Sequence, residues 1–460
     1  MTERVSCGGE TLDAVLGGGL PRNSIVLLIG LPGSGKTILA QQYVFAYATP
    51  EHPGLYLSTV SEPLDKILRY GQTLDFFDTA AIGHSVYYED LGSVVHRHGL
   101  DGVVERVRRL IREYHPAVLV IDSFKALQPS AQNAHVFRRV LHEFAGLVTA
   151  YPVTSIWVGE YAEEEISNAP EFAVADAILA LGTVRTGERV LRNLQVLKLR
   201  GGEFLPGKHA YRLSTAGVTA FPRLADPPDQ TDYSLDRGRV GSGVRALDEM
   251  LDDGFWPGAA TLLAGPTGVG KTIFGLNFVF HGARHGEPGL IATMQEDPTQ
   301  LARIVGQFGW DLGDEHITLM YRSPVDLYLD QWVHELLDTI ETTGATRVLI
   351  DSFGDLQAAS PDPTRFREYI YSLVHRCARR RVSLMITHEL PELFEVSRLS
   401  EHGFSHMADN VVLLQYRDLD RAVTRTIRVL KTRASGHDSR AREFYIAHDG
   451  VVIVPQPPEL

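Results

Sequence analysis

A glycine-rich segment occurs twice in this chain, and the two copies lie 235 residues apart. The copies are Gly30-Leu-Pro-Gly-Ser-Gly-Lys-Thr37 and Gly265-Pro-Thr-Gly-Val-Gly-Lys-Thr272, and both fit the pattern G-x-x-x-x-G-K-[ST]. In such a loop successive backbone N–H groups converge on phosphate oxygens, the lysine reaches the β- and γ-phosphates, and the following hydroxyl ligates Mg²⁺. The chain is therefore predicted to bind two nucleotides.

The residues around each loop support this interpretation. Residues 25–29 and 260–264 are apolar runs typical of buried parallel strands. Residues 37–47 and 272–281 carry apolar side chains at helical spacing. Strand, loop and helix thus follow one another in the order that the motif requires.

Three further segments recur at nearly the same offset, which indicates tandem duplication. We predict domains of residues 1–224 and 239–460, joined by a linker at 225–238 that is rich in proline and polar residues. The matched pairs are residues 11–19 with 246–254, 118–124 with 347–353, and 196–200 with 429–433.

Short apolar strands alternate with helical segments in each half. This alternation predicts an α/β fold with a mainly parallel sheet, helices on both faces, and the nucleotide outside the carboxyl ends of the strands. Each half then ends in segments typical of an antiparallel edge hairpin, namely residues 189–199 with 210–213 and 424–431 with 442–446.

Composition argues against several classes of protein. Of the 460 residues 44% are hydrophobic and 22% charged, no apolar stretch is long enough to span a bilayer, and the N-terminus lacks the apolar core of a signal peptide. The two cysteines, Cys7 and Cys377, have no metal-ligand spacing. A net charge of −13 argues against broad attachment to nucleic acid or anionic lipid. We expect a cytoplasmic protein with no membrane partner.

Both loops and two strand-end aspartates form the predicted sites. Asp122 and Asp351 each end an apolar run and would hold Mg²⁺ together with Thr37 and Thr272. The alternative is a buried aspartate that caps the following helix. The predicted nucleotide contacts, among which the two lysines are also catalytic candidates, are Gly30, Pro32, Gly33, Ser34, Gly35, Lys36, Thr37, Gly265, Thr267, Gly268, Val269, Gly270, Lys271 and Thr272.

Both halves resemble the RecA-like domains of the KaiC family, the circadian-clock ATPase and autokinase, over nearly the whole chain. The resemblance rests on the Leu-Asp segment that opens each half, the loops, the Ile-Asp-Ser strands, and the closing segments at 198–202 and 431–438. Its most specific part is residues 433–444, Arg-Ala-Ser-Gly-His-Asp-Ser-Arg-Ala-Arg-Glu-Phe. The resemblance implies tandem RecA-like P-loop NTPase domains, ATP and Mg²⁺ as cofactors, and a homo-oligomeric ring, with a hexamer expected.

The family carries two adjacent glutamates after a strand, one of which polarises the attacking water or hydroxyl. Here Ser61 and Gln295 replace the first glutamate, and Glu62 and Glu296 stand at the second position. A carboxylate is suited to align water for in-line attack. The alternative is an acid that caps the next helix. The substitutions predict slow hydrolysis.

The resemblance also implies residues that act on a neighbouring subunit. Residues two apart on a strand face the same side, so Lys198 with Arg200, and Lys431 with Arg433, would project together. In the family's ring such a pair reaches the γ-phosphate held by the neighbour. The alternative is an exposed edge strand that carries charge against aggregation.

Two residues of the second half match regulatory positions of the family. Ser405 matches the first residue of the family's Ser-Thr phosphosite, with His406 at the threonine position, so a single phosphosite is expected. His388 matches a polar strand end near the nucleotide and is a candidate γ-phosphate sensor. A solvent-facing serine and an ordinary strand-end histidine are the alternatives.

The leading hypothesis is an Mg²⁺-dependent, KaiC-like ATPase that assembles as a ring, carries a candidate autophosphorylation serine in domain 2, and signals to protein partners, KaiB-like proteins among them. One alternative is a RecA- or RadA-type recombination or repair ATPase. The acidic charge and the charge-poor segments after Asp122 and Asp351 argue against that alternative and make nucleic acid an unexpected partner. The other alternative is a nucleotide-gated scaffold without significant catalysis.

Overall fold

The computed structural model of the protein describes residues 3–59, 63–166, 168–186, 189–224, 238–360, 362–392, 404–419 and 422–455. The predicted catalytic residue Glu62 lies outside these residues. The chain divides into two compact units, Met1–Arg223 and Leu224–Leu460, here called unit 1 and unit 2.

Unit 1 alternates strands and helices along the chain. Its strands are β1 (Arg4–Val5), β2 (Leu20–Pro21), β3 (Ile25–Gly30), β4 (Gly54–Ser58), β5 (Val86–Asp90), β6 (Val118–Asp122), β7 (Thr154–Gly159), β8 (Ala177–Thr186), β9 (Arg189–Leu199), β10 (Lys208–Ser214) and β11 (Gly217–Phe221). Its α-helices are α1 (Glu10–Val15), α2 (Lys36–Tyr47), α3 (Leu64–Gly71), α4 (Gly92–Tyr114), α5 (Ala134–Ala150) and α6 (Glu171–Val174).

Strands β3 to β11 form one nine-stranded sheet in the order β11-β10-β9-β8-β3-β7-β6-β4-β5. The six strands from β8 to β5 in that order are parallel, whereas β8, β9, β10 and β11 pair antiparallel. The loop that follows β3 is therefore at the carboxyl edge of the parallel part, and the antiparallel strands extend the sheet on one side.

Unit 2 repeats this arrangement. Its strands are β12 (Ala260–Gly265), β13 (Gly289–Thr293), β14 (Ile317–Tyr321), β15 (Arg347–Asp351), β16 (Ser383–Glu389), β17 (Asn410–Leu419), β18 (Ala422–Lys431), β19 (Arg442–Ala447) and β20 (Gly450–Ile453). Its α-helices are α7 (Arg245–Met250), α8 (Lys271–Ala283), α9 (Pro298–Gln307), α10 (Leu329–Thr343), α11 (Phe353–Ala359), α12 (Pro363–Arg379) and α13 (Phe404–Met407).

The sheet of unit 2 has the order β14-β13-β15-β16-β12-β17-β18-β19-β20, which matches unit 1 strand for strand. The parallel part again ends in an antiparallel hairpin. The predicted fold class, tandem RecA-like α/β units with a mainly parallel sheet, helices and a closing antiparallel hairpin, is confirmed.

The central strands are apolar along their whole length because both faces of each sheet are covered. In β3, Leu27 and Ile29 pack in one core cluster, whereas Val26 and Leu28 pack in another on the opposite face. Alternate side chains of a strand point to opposite faces, so one apolar run contributes side chains to the core on both faces of the sheet. Truncating a fully buried side chain such as Leu27 to alanine would cost about 2–5 kcal/mol.

The described residues contain no helix that is long and apolar enough to cross a membrane.

Candidate functional site

Each glycine-rich loop ends where a helix begins at the loop lysine. Helix α2 begins at Lys36 and α8 at Lys271, and the preceding Gly35 and Gly270 have φ values of 89° and 115°. Glycine adopts this left-handed region without strain. A Cβ on Gly35 would also lie 2.7 Å from Leu213 Cδ2 on β10. The free N–H groups of the first helical turn thus border a backbone cradle suited to phosphate.

The two lysines lie folded back on their own loops. Lys36 Nζ donates to the Leu31 carbonyl at 3.0 Å, and Lys271 Nζ donates to two loop carbonyls at 3.0 and 2.8 Å. Burial lowers the pKa of both lysines, because the charged form loses hydration. Carbonyl oxygens carry only partial charge, so an anionic phosphate would be a stronger partner for each ammonium.

The hydroxyl after each lysine meets the strand-end aspartate. Thr37 Oγ1 donates to Asp122 Oδ2 at 2.8 Å, and Thr272 Oγ1 donates to Asp351 Oδ2 at the same distance. A hydroxyl and a carboxylate held side by side are the oxygen ligands that Mg²⁺ prefers. These four residues therefore fit a magnesium ion beside each cradle.

A second hydroxyl reaches each aspartate from a different strand in the two units. Tyr56 of β4 donates to Asp122 Oδ2 at 2.6 Å, whereas Thr387 of β16 donates to Asp351 Oδ1. Burial raises the pKa of Asp351, and the hydrogen bonds from Thr387 and Thr272 oppose that rise.

In unit 2 the predicted water-aligning glutamate is not the helix cap. The carboxylate of Asp297 accepts from the first N–H groups of α9 and is therefore the helix cap. The neighbouring Glu296 is half-buried. The Gln295 amide donates to Ser352 Oγ at 3.1 Å and to Asp355 Oδ2 at 3.2 Å. The replacement for the family's first glutamate is thus held in a local network.

Two carboxylates beside the lysines were not singled out from the sequence. Glu160 follows β7, and its Oε1 lies 3.6 Å from Lys36 Nζ. Glu389 ends β16 at the equivalent position, and its charge partly offsets the burial that lowers the pKa of Lys271. Their signal in the sequence is an acid after each of two matched apolar strands.

Two arginines near the loops also escaped prediction. Arg192 on β9 and Arg425 on β18 are 233 residues apart, and each has a buried Nε with no hydrogen-bond partner among the described residues. Arg425 lies 5.9 Å from the Tyr416 ring centre, and the Tyr416 hydroxyl donates to the loop carbonyl of Thr267 at 3.3 Å. In unit 1 the Tyr211 hydroxyl donates to a loop carbonyl at 2.6 Å.

The predicted pair of unit 1 is held by its own unit. Lys198 Nζ donates to the carbonyls of Phe172 and Ala173 on α6 at 3.2 and 3.5 Å. Arg200 Nη1 pairs with Asp176 at 3.4 Å, and that carboxylate also accepts from the Ile25 N–H at the start of β3. The Arg200 side chain is 60% exposed, so it retains access to solvent.

Unit 2 repeats these contacts. Lys431 Nζ donates to the Ser405 carbonyl at 2.9 Å and to Ala408 at 2.6 Å. Arg433 pairs with Asp409 at 3.5 Å, and Asp409 accepts from the N–H at the start of β12. The Arg433 side chain is 55% exposed.

The expectation that both members of a pair lie on one strand is wrong for the arginines. Strand β9 ends at Leu199 and β18 ends at Lys431, so Arg200 and Arg433 follow the strands. A register shift in each hairpin, where the pairing skips Leu197 or Leu430, bends the strand just before this point. The lysine and arginine nevertheless approach the same aspartate in each unit.

The two remaining candidates of unit 2 are His388 on β16 and Ser405 on α13. The His388 ring on β16 packs edge to face on Phe353, with ring centres 5.5 Å apart. Ser405 lies on the short helix α13 and is half-buried, so it is not the fully solvent-facing serine of the alternative interpretation.

Two tandem RecA-like units, each with a phosphate loop beside a threonine–aspartate pair, define the class of P-loop ATPases. A sequence model of the KaiC ATPase family matches residues 5–225 and 240–458. The chain therefore belongs to the KaiC family.

Curated relatives show the same relationship. The circadian clock oscillator protein KaiC 1 of Synechocystis sp. is 28% identical over 96% of this chain and 87% of its own length. The KaiC proteins of Picosynechococcus sp. and Thermostichus vulcanus are 27% and 28% identical, each over 96% of this chain and 88% of their own length.

Proposed function

We propose that the protein is a slow, Mg²⁺-dependent ATPase whose subunits form a ring. The observation that carries this proposal is the threonine–aspartate hydrogen bond of 2.8 Å, repeated beside a phosphate loop in each unit. Bound Mg²⁺ would neutralise charge on the β- and γ-phosphates. Thr37 with Asp122, and Thr272 with Asp351, would hold it.

The remaining loop residues would bind and orient ATP. The glycines present N–H groups to the phosphates, and Lys36 and Lys271 exchange carbonyl partners for phosphate oxygens. Arg192 and Arg425 would add positive charge from the antiparallel strands that cover the loops. Glu62 and Glu296 keep the water-aligning role that the family resemblance assigns, with slow turnover because Ser61 and Gln295 replace the first glutamate.

The location of the lysine–arginine pairs supports a ring. Asp176 and Asp409 tie the arginines to the start of the loop strand, at the edge of the sheet opposite the phosphate loop. Strand β3 has six residues and spans about 20 Å, so a pair cannot reach the loop of its own unit. A neighbouring subunit in a hexamer would bring Lys198 with Arg200, and Lys431 with Arg433, to a γ-phosphate. There they would stabilise charge in the transition state.

The same contacts support serine autophosphorylation in unit 2. Lys431 donates to the Ser405 carbonyl, so α13 lies beside the pair that would approach the neighbour's ATP. A phosphate on Ser405 would find Lys431 and Arg433 close by. His388 would sense the γ-phosphate from the adjacent strand end. The phosphorylation state would be read by signalling partners, KaiB-like proteins among them, in the cytoplasm.

Mass-resolved sizing with and without ATP and Mg²⁺, followed by phosphate-release assays on the same sample, tests the proposal. We expect ATP-dependent assembly to a hexamer and slow release of phosphate that stops when EDTA removes Mg²⁺. A double Lys36→Ala, Lys271→Ala variant is the control and should release no phosphate. Phosphate release at the same rate from wild type and this variant would end the proposal.

A further inference from the structure

Glu160 and Glu389 occupy matching positions in the sheets of the two units. In unit 2 the register pairs Glu389 with Gly265, the first loop residue. In unit 1 Gly159 pairs with Ile29, which brings Glu160 opposite Gly30. Strands β7 and β16 lie between the loop strand and the strand that ends in the predicted magnesium aspartate. Each carboxylate therefore lies at the carboxyl edge between these two groups.

Glu160 is close to the lysine that contacts the γ-phosphate in phosphate loops, and Glu389 holds the matching register position in unit 2. Glu160 Oε1 is 3.6 Å from Lys36 Nζ, and the charge of Glu389 acts on Lys271. The Glu160 side chain is 56% exposed, so water reaches it. An ionised carboxylate has no proton to give to an ionised phosphate. Beside bound ATP the carboxylate therefore needs a hydrogen-bond donor, and water can supply one.

In unit 2 the residue at the family's first glutamate position, Gln295, cannot take a proton from water, although Glu296 keeps its water-aligning role. The Gln295 amide is engaged with Ser352 and Asp355, and an amide does not take up a proton. Glu160 and Glu389 are carboxylates, and their position relative to the loop is the same in both units.

We propose that Glu160 and Glu389 each accept a hydrogen bond from the attacking water in the ATP site of their own unit and take its proton during hydrolysis, while Glu62 and Glu296 align that water. This inference rests on the proposed ATPase function.

The step conserves atoms and charge. The water oxygen forms a bond to the γ-phosphorus, and the bond from that phosphorus to the β–γ bridging oxygen breaks. ADP leaves with the electron pair of the broken bond. The proton passes from water to the carboxylate and then to solvent, and the products are ADP and inorganic phosphate.

Single-turnover hydrolysis and ATP titration of the full chain test the inference. The variants are Glu160→Gln, Glu389→Gln and their combination. Glu113→Gln and Glu315→Gln are matched controls, because both residues are exposed and precede strands at the opposite edge of the sheets. The double glutamine variant should hydrolyse ATP about 10²–10³-fold more slowly while binding it with at least wild-type affinity. A double Glu160→Asp, Glu389→Asp variant, which keeps the carboxylates, should recover part of the rate.

Three outcomes would overturn the inference. Wild-type hydrolysis by the double glutamine variant, with or without tighter ATP binding, would leave the carboxylates only as partners of the lysines. A slower rate that follows from lost ATP binding would mark a structural role. If the wild type binds ATP and releases no phosphate, the proposed ATPase function fails together with the inference, whereas the first two outcomes leave that function standing.

Discussion

Unit 1 and unit 2 share one scaffold and differ in what that scaffold carries. The sheet orders match strand for strand, and both units hold a threonine–aspartate pair at 2.8 Å. At the position of Ser405, however, unit 1 has Phe172, and each residue offers its carbonyl to the matching lysine. The backbone contact is kept while the hydroxyl is present in one unit alone. Duplication thus preserves the chemistry of nucleotide binding and leaves side chains at the opposite edge free to diverge.

The largest expected effect concerns this difference. Phosphopeptide mapping after incubation with ATP and Mg²⁺ should find phosphate on α13 of unit 2 and none on α6 of unit 1, since Phe172 has no hydroxyl. Ser405→Ala should lose the phosphate completely, and Ser435→Ala should keep it. A phosphate that survives in Ser405→Ala would show that the divergence of the two units lies elsewhere.

The next effect tests what the units share. Lys36→Ala and Lys271→Ala should each weaken ATP binding in their own unit by about 10–150-fold, because each removes a charged hydrogen-bond donor worth about 1.5–3 kcal/mol. Calorimetric titration should then count one strong site per chain in place of two. The exposed Lys66→Ala on α3 is the control and should keep both sites. Loss of both sites in one single variant would contradict the independence of the cradles.

A smaller effect is expected from removing the second hydroxyl donor to each aspartate, which is Tyr56 in unit 1 and Thr387 in unit 2. Removing the donor leaves a buried carboxylate short of a hydrogen bond, which costs about 1–3 kcal/mol. Thr387→Val should destabilise unit 2 more than Tyr56→Phe destabilises unit 1, since Asp351 is 2% exposed and Asp122 is 8% exposed. Thermal unfolding without nucleotide measures this, with a probe in each unit because two units need not unfold together.

The matched control for the tyrosine is Tyr371→Phe, whose ring is exposed. If Tyr56→Phe and Thr387→Val lower the free energy of unfolding of their units by the same amount, the exposure of the aspartate does not determine that loss.

The smallest effect belongs to unit 2 alone. Hydrogen bonds from Arg440 and Arg442 hold the pKa of Asp438 well below its usual value, and Leu205 stands at the matching position of unit 1. The stabilisation is present above the pKa of the unfolded carboxyl and is lost as the pH falls through the lower folded value. Asp438→Asn should therefore cost under about 1 kcal/mol at pH 7, because the pair is near the surface. Unfolding curves should show the difference shrinking below about pH 4; a constant difference would contradict the ionic origin.

Local patterns in the sequence were enough to predict the scaffold. The apolar runs, the glycine-rich loops and the repeated Ile-Asp-Ser strands fix the order of strands and helices, because each signal depends on a few consecutive residues. The match of Thr37 with Asp122 was also predictable, since both residue types belong to a known phosphate-loop pattern.

The remaining contacts depend on which strands are neighbours in space. Tyr56 reaches Asp122 from β4, 66 residues earlier in the chain, and Thr387 reaches Asp351 from β16, 36 residues later. The register shifts that place Arg200 and Arg433 beyond their strands depend on hairpin pairing. Such side-chain partners follow from the order and register of the sheet, which a single sequence does not display residue by residue.

Completion of each ATP site by a neighbouring subunit is the central claim, and a mixing experiment tests it most directly. One variant carries Lys36→Ala and Lys271→Ala, and the other carries Lys198→Ala, Arg200→Ala, Lys431→Ala and Arg433→Ala. Each should be inactive alone, whereas their mixture should release phosphate, because intact loops of one variant meet intact lysine–arginine pairs of the other. A mixture as inactive as its components, with mixed rings demonstrated by mass, would contradict the claim.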